Sequence, residues 1–208
     1  SEIAKTIAHE IKNPLTPIQL SNDRIRKKLD SIKLNDESLN ECMDIISRQV
    51  NDIGKLVNDF SNFARMPKPI FKKNNIISIL KSCIKTKSIL FDDDIIIKLD
   101  NKKEIFMKCD ELQITQVFSN ILQNSINSII EKNTKNGFIN VFVKEDNKKI
   151  HFNFIDNGSG FKNKKSELVE PYFTTRKKSG GTGLGLSIVN KIVTDHNGIL
   201  EFDNNDTG

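Results

Sequence analysis

The sequence has no tryptophan, one tyrosine, three cysteines and three histidines. Cys42, Cys83 and Cys109 are odd in number and widely separated. That excludes a disulfide framework and a paired-cysteine zinc site, and fits reduced thiols in a cytoplasmic compartment. No apolar run approaches the ~18 residues that a membrane span requires, and the first residues lack a signal-peptide pattern. No tract concentrates the basic residues: the net charge of +5 comes from interspersed Lys, Asp and Glu, so nucleic-acid binding is not indicated. The chain opens on serine, without an initiator methionine, and stops soon after a strand-like segment; a piece of a longer protein is expected. What is left is the composition of an ordinary globular protein, with room for one or two domains and a substantial core.

The first stretch that stands out is Ala8-His9-Glu10-Ile11-Lys12-Asn13-Pro14-Leu15. On a helix, Ile3, Ile11, Leu15, Ile18, Ile25 and Leu29 fall within roughly 80° of Ile7, which predicts a helix from the N-terminus to residue 28 or 29. His9 falls on the far side of that stripe. Asn13 lies one turn along and Glu10 flanks it, so the three polar groups share an exposed patch. Pro14 deletes the amide that would bond the carbonyl of Glu10, and a kink beside His9 is expected. A lone surface histidine is usually only that. A His-Glu-x-x-His zinc helix is excluded, because its second imidazole would stand where Asn13 does.

Residues 30–37 are polar and predict a turn. Leu39, Met43, Ile46, Val50, Ile53, Val57 and Phe60 then recur at alternating four- and three-residue steps, a coiled-coil seam. Two such helices form a hairpin whose apolar face is too wide for one pair to cover. Dimerisation into a four-helix bundle would bury it, and packing on the chain's own C-terminal part is the alternative. Met66-Pro67-Lys68-Pro69 cannot continue a helix. The expected division is an all-α helical hairpin over residues 1–66, a linker over 67–71 and a second domain over 72–208. There the pattern predicts helices over 76–89, 110–130 and 184–196. Strands are predicted over 95–99, 105–109, 138–143, 150–155 and 199–202, with a hairpin turn at 146–149. Helices and antiparallel strands in this order suggest an α+β sandwich with helices on one sheet face. Residues 162–181 make a polar stretch long enough to suggest function.

Three motifs converge in this second part. Asn120 and Asn124 put two carboxamides on one face of an otherwise apolar helix, and Asn124 offers a carbonyl oxygen to a hard cation such as Mg²⁺. Asp156-Asn157-Gly158-Ser159-Gly160 follows an apolar strand. Asp156 suits the exocyclic amine of a base, and the glycines permit close approach of backbone; alone, the segment reads equally well as a tight turn. Gly180-Gly181-Thr182-Gly183-Leu184-Gly185 leads into an apolar helix, whose free amides and dipole favour phosphate. It is not a Walker loop, since no Gly-Lys-Ser/Thr follows, and it lacks the spacing of the dinucleotide fingerprint.

Together these stretches resemble the cytoplasmic kinase core of a two-component sensor histidine kinase. The His9 segment looks like the phosphoacceptor box, Asn120–Asn124 the N box, Asp156–Gly160 the G1 box, residues 170–176 around Phe173 the F box and residues 181–185 the G2 box. Leu15-Thr16-Pro17-Ile18 and Phe63-Ala64-Arg65-Met66-Pro67 further resemble the nitrogen-regulation, NtrY-like branch. The resemblance implies a hairpin that dimerises, followed by an ATP-binding sandwich of the histidine kinase, gyrase and Hsp90 kind. It implies ATP and Mg²⁺ as cofactors, with nucleotide contacts from Asn120, Asn124, Asp156, Gly158, Gly160, Phe173, Arg176, Lys177, Gly181, Thr182, Gly183, Leu184 and Gly185, and with the metal on Asn124. It implies phosphorylation of His9, with Glu10 orienting the imidazole, and transfer to an Asp of a response regulator receiver domain. Asn13 would position water for dephosphorylation of that regulator. His151 and His196 are expected to be structural. The full-length protein is expected in the bacterial inner membrane, reached through an N-terminal sensor region absent here.

Two departures from the family pattern stand out. Where many members carry a phosphate-reaching Lys after the second N-box Asn, this chain has Asn127, which would shift phosphate charge onto Mg²⁺ and onto Arg176, Lys177 or Lys178. The family's closing strand is also expected beyond residue 208. The rivals are a gyrase- or chaperone-like ATPase, disfavoured because no carboxylate lies between Asn120 and Ile130, and a phosphatase-only or scaffold protein.

Overall fold

The computed structural model describes residues 2–33, 36–64, 66–90, 95–101, 103–146, 149–161, 168, 170 and 183–204, with the side chains of residues 2–7, 9 and 90 outside the description. Two compact units emerge, one over the residues up to Pro67 and the other over most of the chain from Lys68 on.

The first unit is an antiparallel hairpin of α1 (Glu2–Ser31) and α2 (Glu37–Ala64). α1 runs two residues further than the periodicity suggests, and Lys33 turns the chain at φ 51°. Asp36 accepts the Leu39 amide at 3.1 Å and so caps the start of α2. Pro14 and Pro17 both lie inside α1. They leave the carbonyls of Glu10 and Asn13 without helical donors, yet the helix continues through both. The hairpin buries Ala8 and Asn22 from α1 and Met43 and Val57 from α2. Asn22 donates through Nδ2 to the Met43 carbonyl and to Ser47 Oγ, each at 2.8 Å, which sets Asn22 opposite Met43. Fourteen residues back on α1 and fourteen forward on α2 stand Ala8 and Val57, the second buried pair. Ile11, Ile18, Ile25, Leu39, Ile46 and Ile53 stay substantially exposed, so one hairpin does not cover its own apolar face.

The second unit carries β1 (Lys72–Asn75), α3 (Ile76–Leu90), β2 (Ile95–Asp100), β3 (Phe106–Cys109), α4 (Glu111–Lys132), β4 (Gly137–Asp146), β5 (Lys149–Asp156) and α5 (Gly185–Asp195). The sheet is mixed, not purely antiparallel: β2 pairs parallel with β4, and β4 pairs antiparallel with β5, in the order β2-β4-β5. A separate antiparallel pair, β1 with β3, starts at Lys72 opposite Cys109. The ladder of β4 and β5 reaches Asp146 and Lys149; residues 147 and 148 of the expected turn lie outside the described residues. Among the described residues 199–202 form no strand. Ile199 is exposed, and Phe202 instead packs edge-on against Phe161 with ring centroids 5.5 Å apart. Asn204 bonds both backbone groups of Phe161 through its side chain, each at 2.8 Å. Side-chain closure there takes the place of a backbone ladder.

α4 is the spine of this unit. Ile114, Val117, Phe118, Leu122, Ile126 and Ile129 are buried, and the Phe118 ring meets Phe152 at 5.1 Å and Phe154 at 6.1 Å on β5. Each fully buried aliphatic side chain here contributes on the order of 2 kcal/mol. Ile139 and Val141 on β4 are fully buried, alternating with more exposed neighbours, so one sheet face carries the helices. Among the described residues no helix is long and apolar enough to cross a membrane.

Candidate functional site

In the first unit, His9 lies in the second and third turns of α1 with its side chain outside the description. Glu10 and Asn13 are exposed, and Ala8 beside them is buried. Residues 9 and 13 therefore stand one turn apart on a continuous helix, about 6 Å between positions. The two prolines give this turn two carbonyls without helical donors, and the contribution of Pro17 went unread in the sequence.

In the second unit, the stripe carrying Asn120 and Asn124 turns toward the start of α5. Asn120 donates through Nδ2 to the Gly185 carbonyl at 3.4 Å, and Asn124 Nδ2 would lie 4.0 Å from a Cβ placed on Gly185. Gly183 takes a left-handed φ of 69°, Leu184 is fully buried, and α5 begins at Gly185. The first amides of α5 have no intrahelical acceptor, so they and the helix dipole offer a seat for an anion beside the two carboxamides.

The segment after β5 is held in place from several sides. Asp156 accepts the Gly158 amide through Oδ1 at 2.9 Å, an Asx turn. Asn157 accepts the Phe138 amide at 2.8 Å and donates to the Asn136 carbonyl at 3.2 Å. Lys132 donates to the Gly158 carbonyl at 2.9 Å, and the Ser159 amide donates to Ser128 Oγ at 2.9 Å. A Cβ on Gly158 would fall 2.3 Å from Ser128 Oγ and 2.6 Å from Ser128 Cβ, so only glycine fits. Gly160 takes φ 64°. Ser128, Lys132 and Asn157 are the residues that sequence reading missed. Their one local signal is their place on the polar edge of α4 and inside the glycine turn.

The structure thus brings Asn120, Asn124 and Gly185 together and fixes Asp156, Gly158 and Gly160 in one rigid turn. Phe173, Arg176, Lys177, Lys178, Gly181 and Thr182 lie outside the described residues. For a nucleotide with its metal, the donor set fits. The Asn124 carboxamide takes no hydrogen-bond partner among the described residues and stands beside Gly185 at the start of α5, where the first helical amides are free to meet an anion. Among the described residues no three His, Cys, Asp or Glu side chains cluster to hold a metal, so an ion here would keep waters and phosphate oxygens as ligands.

Residues 1–69 match the His Kinase A (phospho-acceptor) domain, and residues 109–208 match the histidine kinase-, DNA gyrase B- and HSP90-like ATPase domain. The nitrogen regulation protein NtrY of Azorhizobium caulinodans is 37% identical over 98% of this chain. The chain belongs to the sensor histidine kinase family. A putative NtrY-like sensor histidine kinase of Rickettsia prowazekii is 39% identical over 98% of the chain. The chain spans 27% of the first of these relatives and 34% of the second. Among solved structures, histidine kinase ThkA in complex with response regulator TrrA aligns with all of this chain and 59% of its own, at 25% identity and a TM-score of 0.65. The Acinetobacter baumannii histidine kinase AdeS aligns with 90% of this chain and 86% of its own at a TM-score of 0.55; at 18% identity that likeness is one of fold. The helical hairpin followed by an ATPase sandwich is therefore the family's architecture, and the nitrogen-regulation resemblance of the sequence holds.

Proposed function

We propose that this chain is the kinase core that phosphorylates His9 from ATP and passes the phosphoryl group to an Asp of a response regulator. The observation that carries the reading is the pairing of Asn120 and Asn124 with the N-terminus of α5. Its functional division is a phosphotransfer hairpin over 1–66, a linker over 67–71 and a catalytic domain over 72–208. The hairpin pairs with a second copy, which would cover the exposed seam of Leu39, Ile46 and Ile53.

One imidazole nitrogen of His9 attacks the γ-phosphorus in line. An N–P bond forms, the bond from phosphorus to the ADP oxygen breaks, and the ring proton passes to Glu10. Asn13, one turn away, positions water for hydrolysis of the phosphorylated regulator. Asp156 reads the adenine amine, Gly158 and Gly160 keep the turn open to it, and the amides after Gly183 and Leu184 at Gly185 receive phosphate. Phe173, Arg176, Lys177, Gly181 and Thr182 belong to the covering segment. Asn124 would hold Mg²⁺, which would supply charge neutralisation on the phosphates. Transfer of this kind needs positioning and electrostatics more than covalent help from the protein. The known complex of ThkA with a response regulator supports the choice of partner. The length of the relatives supports further segments in the whole protein, for which we propose a membrane-anchored sensor region.

The test is incubation with γ-labelled ATP and Mg²⁺, comparing wild type with His9→Gln and Asn124→Ala. Acid-labile, alkali-stable label in wild type and none in either variant is expected. Label that survives His9→Gln would move the acceptor elsewhere and overturn the mechanism.

A further inference from the structure

Lys87 on α3 donates through Nζ to Oε1 of Gln123 at 2.7 Å, and Nε2 of Gln123 donates to Oδ1 of Asn127 at 2.9 Å. The direction of this chain is fixed by chemistry. An ammonium only donates, so Gln123 must turn its oxygen to Lys87 and its amide to Asn127. Asn127 must then accept through its oxygen. Its Nδ2 is left as a donor, with no partner among the described residues.

Asn127 follows Asn124 by three residues and Asn120 by seven. At 100° per residue the three carboxamides fall within about 60° of one another, on the stripe that Asn120 turns toward Gly185. No Lys or Arg occurs on α4 between Glu111 and Glu131, so the stripe has no cation of its own. The nearest supply through hydrogen bonds is Lys87, on a different helix. Its amine is half-buried between α3 and α4, and that burial pushes its pKa down, partly offset by the nearby Cys83.

We infer that Lys87 is a positioning residue for the nucleotide phosphates: through Gln123 it locks and polarises the Asn127 carboxamide, so that Nδ2 faces an anion on the Asn120–Asn124 stripe. The inference rests on the proposed nucleotide site. It makes the relay the counterpart of a direct lysine at position 127. A charge-assisted first bond strengthens the second, and a pre-oriented amide spends no entropy on turning when phosphate arrives.

The experiment measures Kd for ATP and for AMP by calorimetry, with Mg²⁺ fixed and the full chain. It compares wild type, Lys87→Met, Lys87→Arg, Asn127→Lys and the double variant Lys87→Met with Asn127→Lys, with a Tm for each. Lys87→Met is expected to weaken ATP about five- to tenfold while changing AMP less than about twofold. Lys87→Arg is expected to retain most of the ATP affinity, since a guanidinium also only donates. Asn127→Lys is expected to make ATP affinity indifferent to Lys87→Met. Equal loss of ATP and AMP with a fallen Tm would mean that Lys87 merely holds α3 to α4, and would overturn the inference. So would an unchanged ATP affinity in Lys87→Met. A wild type that binds neither nucleotide would overturn the kinase reading itself and take this inference with it.

Discussion

The backbone N–H of Asp110 donates to Nε2 of His196 at 3.1 Å, across 86 residues of sequence. On the other side of the ring, Nδ1 lies 2.8 Å from the Ile192 carbonyl. A carbonyl only accepts, so Nδ1 carries the proton and Nε2 is the acceptor. Phe71 packs edge-on against the same ring, with centroids 5.1 Å apart. One imidazole thus ties the N-terminus of α4 to the C-terminus of α5 and to the segment after the prolines. Nitrogen-15 spectra of His196 should show the Nδ1–H tautomer. His196→Ala should cost about 1–2 kcal/mol in urea unfolding; an Nε2–H tautomer would contradict the arrangement.

Asp110 also caps α4. Oδ1 accepts the Gln113 amide at 3.1 Å, and Oδ2 accepts the Ile70 amide at 2.8 Å. Partial burial opposes its ionisation, but the amides of Ile70, Gln113 and Leu112 outweigh that and hold the carboxyl below the ordinary carboxylate range. A depressed folded pKa means stability that is complete above the unfolded-state value and is lost as pH falls through the lower, folded one. Urea midpoints taken from neutral to acid pH should therefore fall at the acid end in wild type and fall less in Asp110→Asn. Asp110→Ala should cost about 1 kcal/mol at neutral pH.

Gly158→Ala should destabilise the second unit by about 1–3 kcal/mol, because its Cβ has no place beside Ser128. Ser128→Gly removes the two nearest atoms in the way, leaving Asp156 Oδ1 at 2.8 Å, at an intrinsic helix cost of about 1 kcal/mol. The double variant should then be more stable than the two separate losses added together, which a double-mutant cycle in urea measures. Additive losses would mean that the clash relaxes elsewhere.

Asn22 is buried in the hairpin and bonds across it, while its Oδ1 has no partner among the described residues. A buried asparagine in a seam commonly fixes register at a cost in stability. Asn22→Leu should raise Tm and broaden the distribution of species in sedimentation; a sharper single species would remove Asn22 from the role of register pin.

The helices were legible within about two residues, because apolar periodicity repeats over many turns. β1 was not. Lys72-Lys73-Asn74-Asn75 has no alternation, and it becomes a strand only by pairing with β3, where Asn74 also donates to the Cys109 carbonyl at 3.0 Å. The parallel pairing of β2 with β4 depends on partners some forty residues apart, which local pattern does not encode. Ile199 and Phe202 read as a strand for their spacing, yet Phe202 is apolar because it meets Phe161. In the candidate site, motif order singles out Asn120, Asn124 and the glycines, and of these the structure brings Asn120 and Asn124 to Gly185. Motif order does not single out Ser128 or Lys87, since each bonds to a neighbour that sequence does not place.

The hairpin register has a consequence for how such chains change length. Ala8 and Asn22 are spaced alike with Met43 and Val57, and the two buried pairs face each other across the helices. Adding one heptad to each helix on the loop side would slide the tip outward by about 10 Å and leave the heading of position 9 unchanged. Three or four residues added to one helix alone would move its neighbours off their opposites and leave polar Asn22 without Met43 and Ser47. The phospho-acceptor rod is thus a ruler graduated in sevens, along which His9 can be carried closer to or farther from the loop without being turned.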